Sequence, residues 1–166
     1  MSVFEELLTG SNRMLKWLWL SGLVIVLDQL TKLWASSGLS YGEPVAILPS
    51  FNLTLMFNTG AAFSFLNHAG GWQRWLFTLI AIAVSAVLLL WLRRLNRSQR
   101  WLAVALALIL GGALGNLIDR LYLGHVIDFV DVYYGSWHWP AFNVADSSIF
   151  VGVVMLIIDS LRGEKS

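Results

Sequence analysis

Four stretches of this chain, roughly residues 14–35, 72–92, 101–121 and 141–161, are apolar over a length that a bilayer imposes. A helix rises ~1.5 Å per residue, so about twenty residues cross the ~30 Å hydrocarbon layer. Backbone N–H and C=O groups find no water there and must bond within the segment, which makes each stretch a helix. The expected fold is an all-α polytopic membrane protein with four transmembrane helices, one domain over residues 1–166. Hydrophobic residues make up 57% of the chain and charged residues 13%, too little charge to cover a soluble domain of this size. Trp17, Trp19, Trp34, Trp72, Trp75, Trp91 and Trp101 gather near the ends of the runs, where indoles sit at headgroup level. The first run exceeds a signal-peptide core and lacks a small-residue cleavage site, so it is expected to be a retained span.

Arg13 and Lys16 precede the first run, Arg93, Arg94, Arg97 and Arg100 lie between the second and third, and Arg162 and Lys165 follow the fourth. The positive-inside bias then puts both termini and the middle loop in the cytoplasm, and loops 36–71 and 122–140 outside. Those outer loops carry basic residues only at their edges: Lys32, Arg74 and Arg120. Within the first of them, Phe51, Leu53, Leu55 and Phe57 alternate with mostly polar positions. That is the period of a strand with one buried face, and it predicts a small outer-face sheet. Asn58-Thr59-Gly60 reads as the turn after it. Residues 1–10 read as an unspecified cytoplasmic tail. A formal net charge of +1 leaves no basic face for nucleic acid. The absence of cysteine removes disulfides, thiolate nucleophiles and thiolate metal sites.

Ionisable groups at membrane depth mark candidate sites. Asp28 and Lys32 are spaced i, i+4 with the acid first, the favourable order for an intrahelical ion pair. Gly112, Asn116 and Arg120 form one stripe along the third helix. Gly111 and Gly115 make a Gly-x-x-x-Gly pair that admits a neighbouring helix, and Asp119 is read as the partner of a nearby base. His125, Asp128 and Asp131 imitate metal-ligand spacing, but no His-Glu-x-x-His motif supports them and no metal or other cofactor is expected. Asp146 lies three residues after Asn143, a capping-box-like start for the fourth helix. Asp128, expected on a loop at the membrane edge, has no comparable local support. Two carboxylates from separate segments suggest a dyad, in which repulsion keeps a proton on one acid while the other is ionised. Such a pair can split an amide with water, with Asp128 expected to hold the proton and Asp146 to act as base.

Asp28-Gln29-Leu30-Thr31-Lys32, Phe57-Asn58-Thr59-Gly60-Ala61-Ala62-Phe63-Ser64, the segment from Gly111 to Arg120, the stretch through Asp128, and Phe142-Asn143-Val144-Ala145-Asp146 together resemble the blocks of the bacterial lipoprotein signal peptidase family (signal peptidase II), in the same order. The resemblance spans roughly residues 14–162. It implies a four-helix bundle with a small outer sheet and a loop covering the cleft. It also implies an aspartic endopeptidase of the bacterial inner membrane, with its site toward the periplasm. The implied reaction removes signal peptides from diacylglyceryl-modified prolipoproteins, cutting just before the lipidated cysteine. By motif match Asp128 and Asp146 would be catalytic, Asn58, Asn116, Arg120 and Asn143 would bind substrate, and Asp28, Lys32, Gly112 and Asp119 would support the site. Partners would be the lipid-modified substrates and membrane lipids, and a monomer is expected. A proton-relay or transport protein is a rival reading and requires polar residues across the whole bilayer. A non-catalytic assembly protein is another, and it predicts that either carboxylate is dispensable.

Overall fold

The computed structural model describes residues 13–60 and 71–163; the tail at residues 1–10 and positions 61–64 of the second sequence block lie outside the described residues. A 3₁₀ turn, Arg13–Trp17, leads into α1 (Leu18–Gly38), followed by β1 (Val45–Leu48), β2 (Phe51–Asn58), α2 (Trp72–Arg94), α3 (Arg100–Tyr122), β3 (Val126–Tyr134), β4 (Trp137–His138) and α4 (Val144–Gly163). All four helices are long and apolar enough to cross a membrane. Their outward faces are apolar, with Leu23, Leu30 and Leu33 on α1, Leu79 and Val87 on α2, and Phe150 and Ile157 on α4 exposed, while Asp28, Lys32, Asn116 and Asp119 are buried. Apolar residues outside and charges within suit a hydrocarbon solvent.

Helix α3 is the central one because small residues let its neighbours approach. Its run of Ala103, Ala105, Ala107, Gly111, Gly112 and Gly115 is buried. A Cβ on Gly111 would stand 2.8 Å from Val24 Cβ, and one on Gly115 would stand 2.7 Å from Asp28 Oδ2, so this glycine pair receives α1. Gly112 faces the other way, toward Ala145 and Ser148 on α4. Away from the sheet, Leu88, Leu92, Leu95, Leu102, Leu106 and Leu110 close an apolar cluster over Met14.

The strands form one antiparallel sheet in the order β1-β2-β3-β4. Strand β2 occupies the expected segment, but its buried face differs from the one that alternation predicts. Asn52 and Thr54 are buried, and Met56 and Phe57 are exposed. Two causes act together. The β2–β3 register breaks between Leu53 and Met56, which interrupts the period of two and buries Thr54 and Leu55 in succession. The polar side chains also have a partner inside, since Asn52 Nδ2 and Thr54 Oγ1 both donate to Asp131 Oδ2. Asp128 also departs from expectation: it lies within β3, opposite Met56, rather than on a loop. The segment before α4 is pinned to β3 at Val130 and Phe142, with Val130 N–H donating to Phe142 O at 2.8 Å and Phe142 N–H returning to Val130 O at 3.1 Å. That bridge carries the start of α4 to the strand holding Asp128.

Candidate active site

Helix α4 begins with the reciprocal cap that its sequence suggests. Asp146 N–H donates to Asn143 Oδ1 at 2.9 Å, and Asn143 N–H donates to Asp146 Oδ2 at 3.2 Å. Capping fixes more than the helix end. With Asn143 Oδ1 occupied, its amide nitrogen turns toward β3 and donates to Asp128 Oδ1 at 2.7 Å. Asn58, at the end of β2, donates to Asp128 Oδ2 at 3.2 Å, and Asn116 on α3 donates to Asp146 Oδ1 at 2.8 Å. The amides of Asn116 and Asn143 meet, Nδ2 of the second 3.2 Å from Oδ1 of the first. The structure thus gathers Asn58, Asn116, Asp128, Asn143 and Asp146 from four elements into one constellation.

Burial is the largest influence on Asp128; with the negative charge of Asp146 it pushes the carboxyl up to about 7, against the opposing hydrogen bonds of Asn58 and Asn143. A carboxyl so placed carries a proton near neutral pH. Arg120 closes one side of the site, its guanidinium donating to Asn116 O and Gly60 O at 3.3 Å each and lying 5.6 Å from the Phe77 ring centroid. Behind the amides, Lys32 Nζ contacts Asp28 Oδ2 at 2.7 Å and Asp119 Oδ2 at 2.8 Å. The sequence spacing anticipates the first of these pairs; the second needs the fold.

The two aspartates open onto a cavity of about 790 Å³. Its lining is divided. Ile149, Phe150 and Val153 of α4 make one wall apolar, whereas Thr54, Asp131 and His138 of the sheet make another polar. Sequence reasoning missed this polar wall. His138 Nδ1 lies 2.8 Å from Asp131 Oδ1, and the His138 ring stacks on Tyr133 at 5.1 Å between centroids. Burial raises the Asp131 carboxyl, but the hydrogen bonds from His138, Asn52 and Thr54 outweigh it and hold the group below the usual carboxylate range. The available signal was the short spacing from Asp131 to His138 across the Gly135 turn. Meanwhile His125, grouped with Asp128 and Asp131 by sequence spacing, packs at a tilt against Phe57 with 4.4 Å between ring centroids, and partial burial lowers its pKa. Among the described residues no His, Cys, Asp and Glu group is arranged to hold a metal ion.

Residues 20–162 match the family model described as signal peptidase (SPase) II. The chain is 60% identical over 154 residues to a lipoprotein signal peptidase of Pseudomonas fluorescens, covering 92% of this chain and 91% of that one. It is 54% identical over 152 residues to a lipoprotein signal peptidase of Aeromonas hydrophila, with 91% of each chain covered. Among solved structures it is similar to a bacterial membrane enzyme determined by the in meso method, with a TM-score of 0.80, 32% identity, and coverage of 89% of this chain and 88% of that one.

Proposed function

The chain belongs to the signal peptidase II family, aspartic peptidases that cleave signal peptides from prolipoproteins, and from that membership we propose that Asp128 and Asp146 are its catalytic pair. The observation that carries this assignment is the convergence of two carboxyls, buried Asp128 on β3 and half-buried Asp146 on α4, over one cavity, each held by asparagine donors. Asp146, accepting from Asn116 and from the Asn143 N–H, serves as the ionised base that draws a proton from water. Protonated Asp128 donates to the scissile carbonyl, and a proton then passes to the leaving amine. No covalent intermediate is required.

Asn58, Asn116, Arg120 and Asn143 hold the substrate backbone, and Asp28, Lys32, Gly112 and Asp119 support them from within the bundle. The apolar wall of Ile149, Phe150 and Val153 suits acyl chains, so a diacylglyceryl group on the substrate cysteine would orient the bond before it in the site. Purified protein should therefore cleave diacylglyceryl-modified prolipoprotein and cut the unmodified precursor at least ~100-fold more slowly. Equal rates on both would remove the lipid from recognition. The transport reading asks for polar groups along the whole bundle, whereas the packed end around Leu92 and Leu106 is apolar.

The protein acts as a monomer among the lipids of the bacterial inner membrane, with both termini cytoplasmic and the site toward the periplasm. The basic residues at 93–100 support that orientation. A cysteine introduced at Ser136 should react with an impermeant thiol reagent from the periplasmic side, and one at Gln99 should not. The reverse pattern would invert the orientation.

A further inference from the structure

Lys32 is 1% exposed, and its ammonium has three acceptors: Asp28 Oδ2 at 2.7 Å, Asp119 Oδ2 at 2.8 Å and Asn116 Oδ1 at 2.9 Å. All three of its N–H bonds are thereby used. Each acceptor reaches onward to a particular place. Asp28 Oδ1 accepts from Ala145 N–H at 2.9 Å, and Asp119 Oδ2 accepts from Ile127 N–H at 3.2 Å. Ala145 is the residue before Asp146, and Ile127 is the residue before Asp128. The third acceptor, Asn116, has its oxygen taken by Lys32 and by Asn143 Nδ2, so its own nitrogen must face Asp146, at 2.8 Å. An Asn amide is nearly symmetric in shape, and without the 2.9 Å bond from Lys32 only the 3.2 Å bond from Asn143 Nδ2, a nitrogen that also serves Asp128 and Ile127 O, opposes its turning round. Turned, it would present an oxygen lone pair to the Asp146 carboxylate.

We propose that Lys32 is a positioning residue for the reaction, fixing the separation of Asp128 and Asp146 through Asp28–Ala145 and Asp119–Ile127 and the direction of the Asn116 amide through its third bond. The proposal rests on the assignment of those two aspartates as the catalytic pair. It differs from a structural ion pair in a way that can be measured. Buried ion pairs are commonly replaced by neutral groups of similar volume without loss of stability. A group that sets geometry at the reacting atoms has no such substitute, because displacement by ~1 Å costs about 100-fold in rate.

Two variants separate these roles. Asp28→Asn/Lys32→Leu/Asp119→Asn removes all three charges together, so no buried charge is left unpaired, and it keeps an amide oxygen for each of the Ala145 and Ile127 N–H groups. Lys32→Arg keeps the charge but replaces a compact three-donor head by a planar fork. Thermal midpoint, kcat and KM are measured in detergent with diacylglyceryl-modified prolipoprotein, and Asp128→Asn is run alongside. The triple variant should keep its midpoint and a KM within about threefold of wild type while kcat falls about 100-fold. Lys32→Arg should keep its midpoint and lose at least ~10-fold in kcat. Wild-type kcat in either folded variant, together with an inactive Asp128→Asn, overturns the role of Lys32 alone. Activity in Asp128→Asn overturns the catalytic pair on which it rests.

Discussion

Asp128→Asn and Asp146→Asn should each lower kcat by ~10³-fold or more in detergent, and the double variant should be within about threefold of the worse single. Neither carboxyl can be acid and base in one step, so losing one disables the pair and losing the second adds little. The substitutions are nearly isosteric, and each leaves an oxygen for the surrounding donors: Asn143 Nδ2 at position 128, and Asn116 Nδ2 or the Asn143 N–H at position 146. Folding should therefore survive, as a thermal midpoint would report. Multiplicative losses in the double variant would mean that the two residues act independently.

Gly112→Val should be nearly as damaging without touching a catalytic atom. A Cβ there overlaps the Ala145 carbonyl oxygen and would stand 2.6 Å from Ser148 Oγ and 2.7 Å from Ile149 Cγ1. The first is backbone, so relief requires the start of α4 to move away from α3. Asp146 sits on that first turn, and its 2.8 Å bond from Asn116 spans the same gap. A shift of ~1 Å at a reacting group costs about 100-fold in rate, and overpacking adds about 1–3 kcal/mol of instability. The control is Gly22→Ala, where nothing lies within 4 Å of the added atom and activity should be unchanged. A Gly112→Val protein with wild-type kcat would show that α4 has slack at this contact.

Much of this arrangement is legible in the order of residues along the chain, and what is not has physical reasons. The helices can be read from apolar length alone, because a bilayer allows few other solutions. Asn143 and Asp146 announce their cap because a capping box is a local motif. Strand β3 is harder to see. Val126, Ile127, Phe129, Val130, Val132, Tyr133 and Tyr134 are good strand formers, but Asp128 and Asp131, three apart, break the period of two. Asp131 is buried against Asn52, Thr54 and His138, a polar cluster on three strands of which spacing along the chain reports only the Asp131–His138 pair. The second partner of Lys32 is hidden similarly. Asp28 is four residues away on one helix, whereas Asp119 arrives only when α1 packs on Gly111 and Gly115.

That the two carboxyls share one proton, held by Asp128, is tested most directly by difference infrared spectra of the carboxyl region. Because coupled acids titrate as a pair, the bands are assigned with Asp128→Asn and Asp146→Asn. Wild type should show a protonated carboxyl near neutral pH that fades as pH rises through about 7, with cleavage falling over the same range. That band should vanish in Asp128→Asn. In Asp146→Asn it should persist but titrate at lower pH, since the like charge that helps hold the proton is gone. A neutral-pH spectrum with no protonated carboxyl, or one whose band is lost only in Asp146→Asn, would contradict a proton held by Asp128.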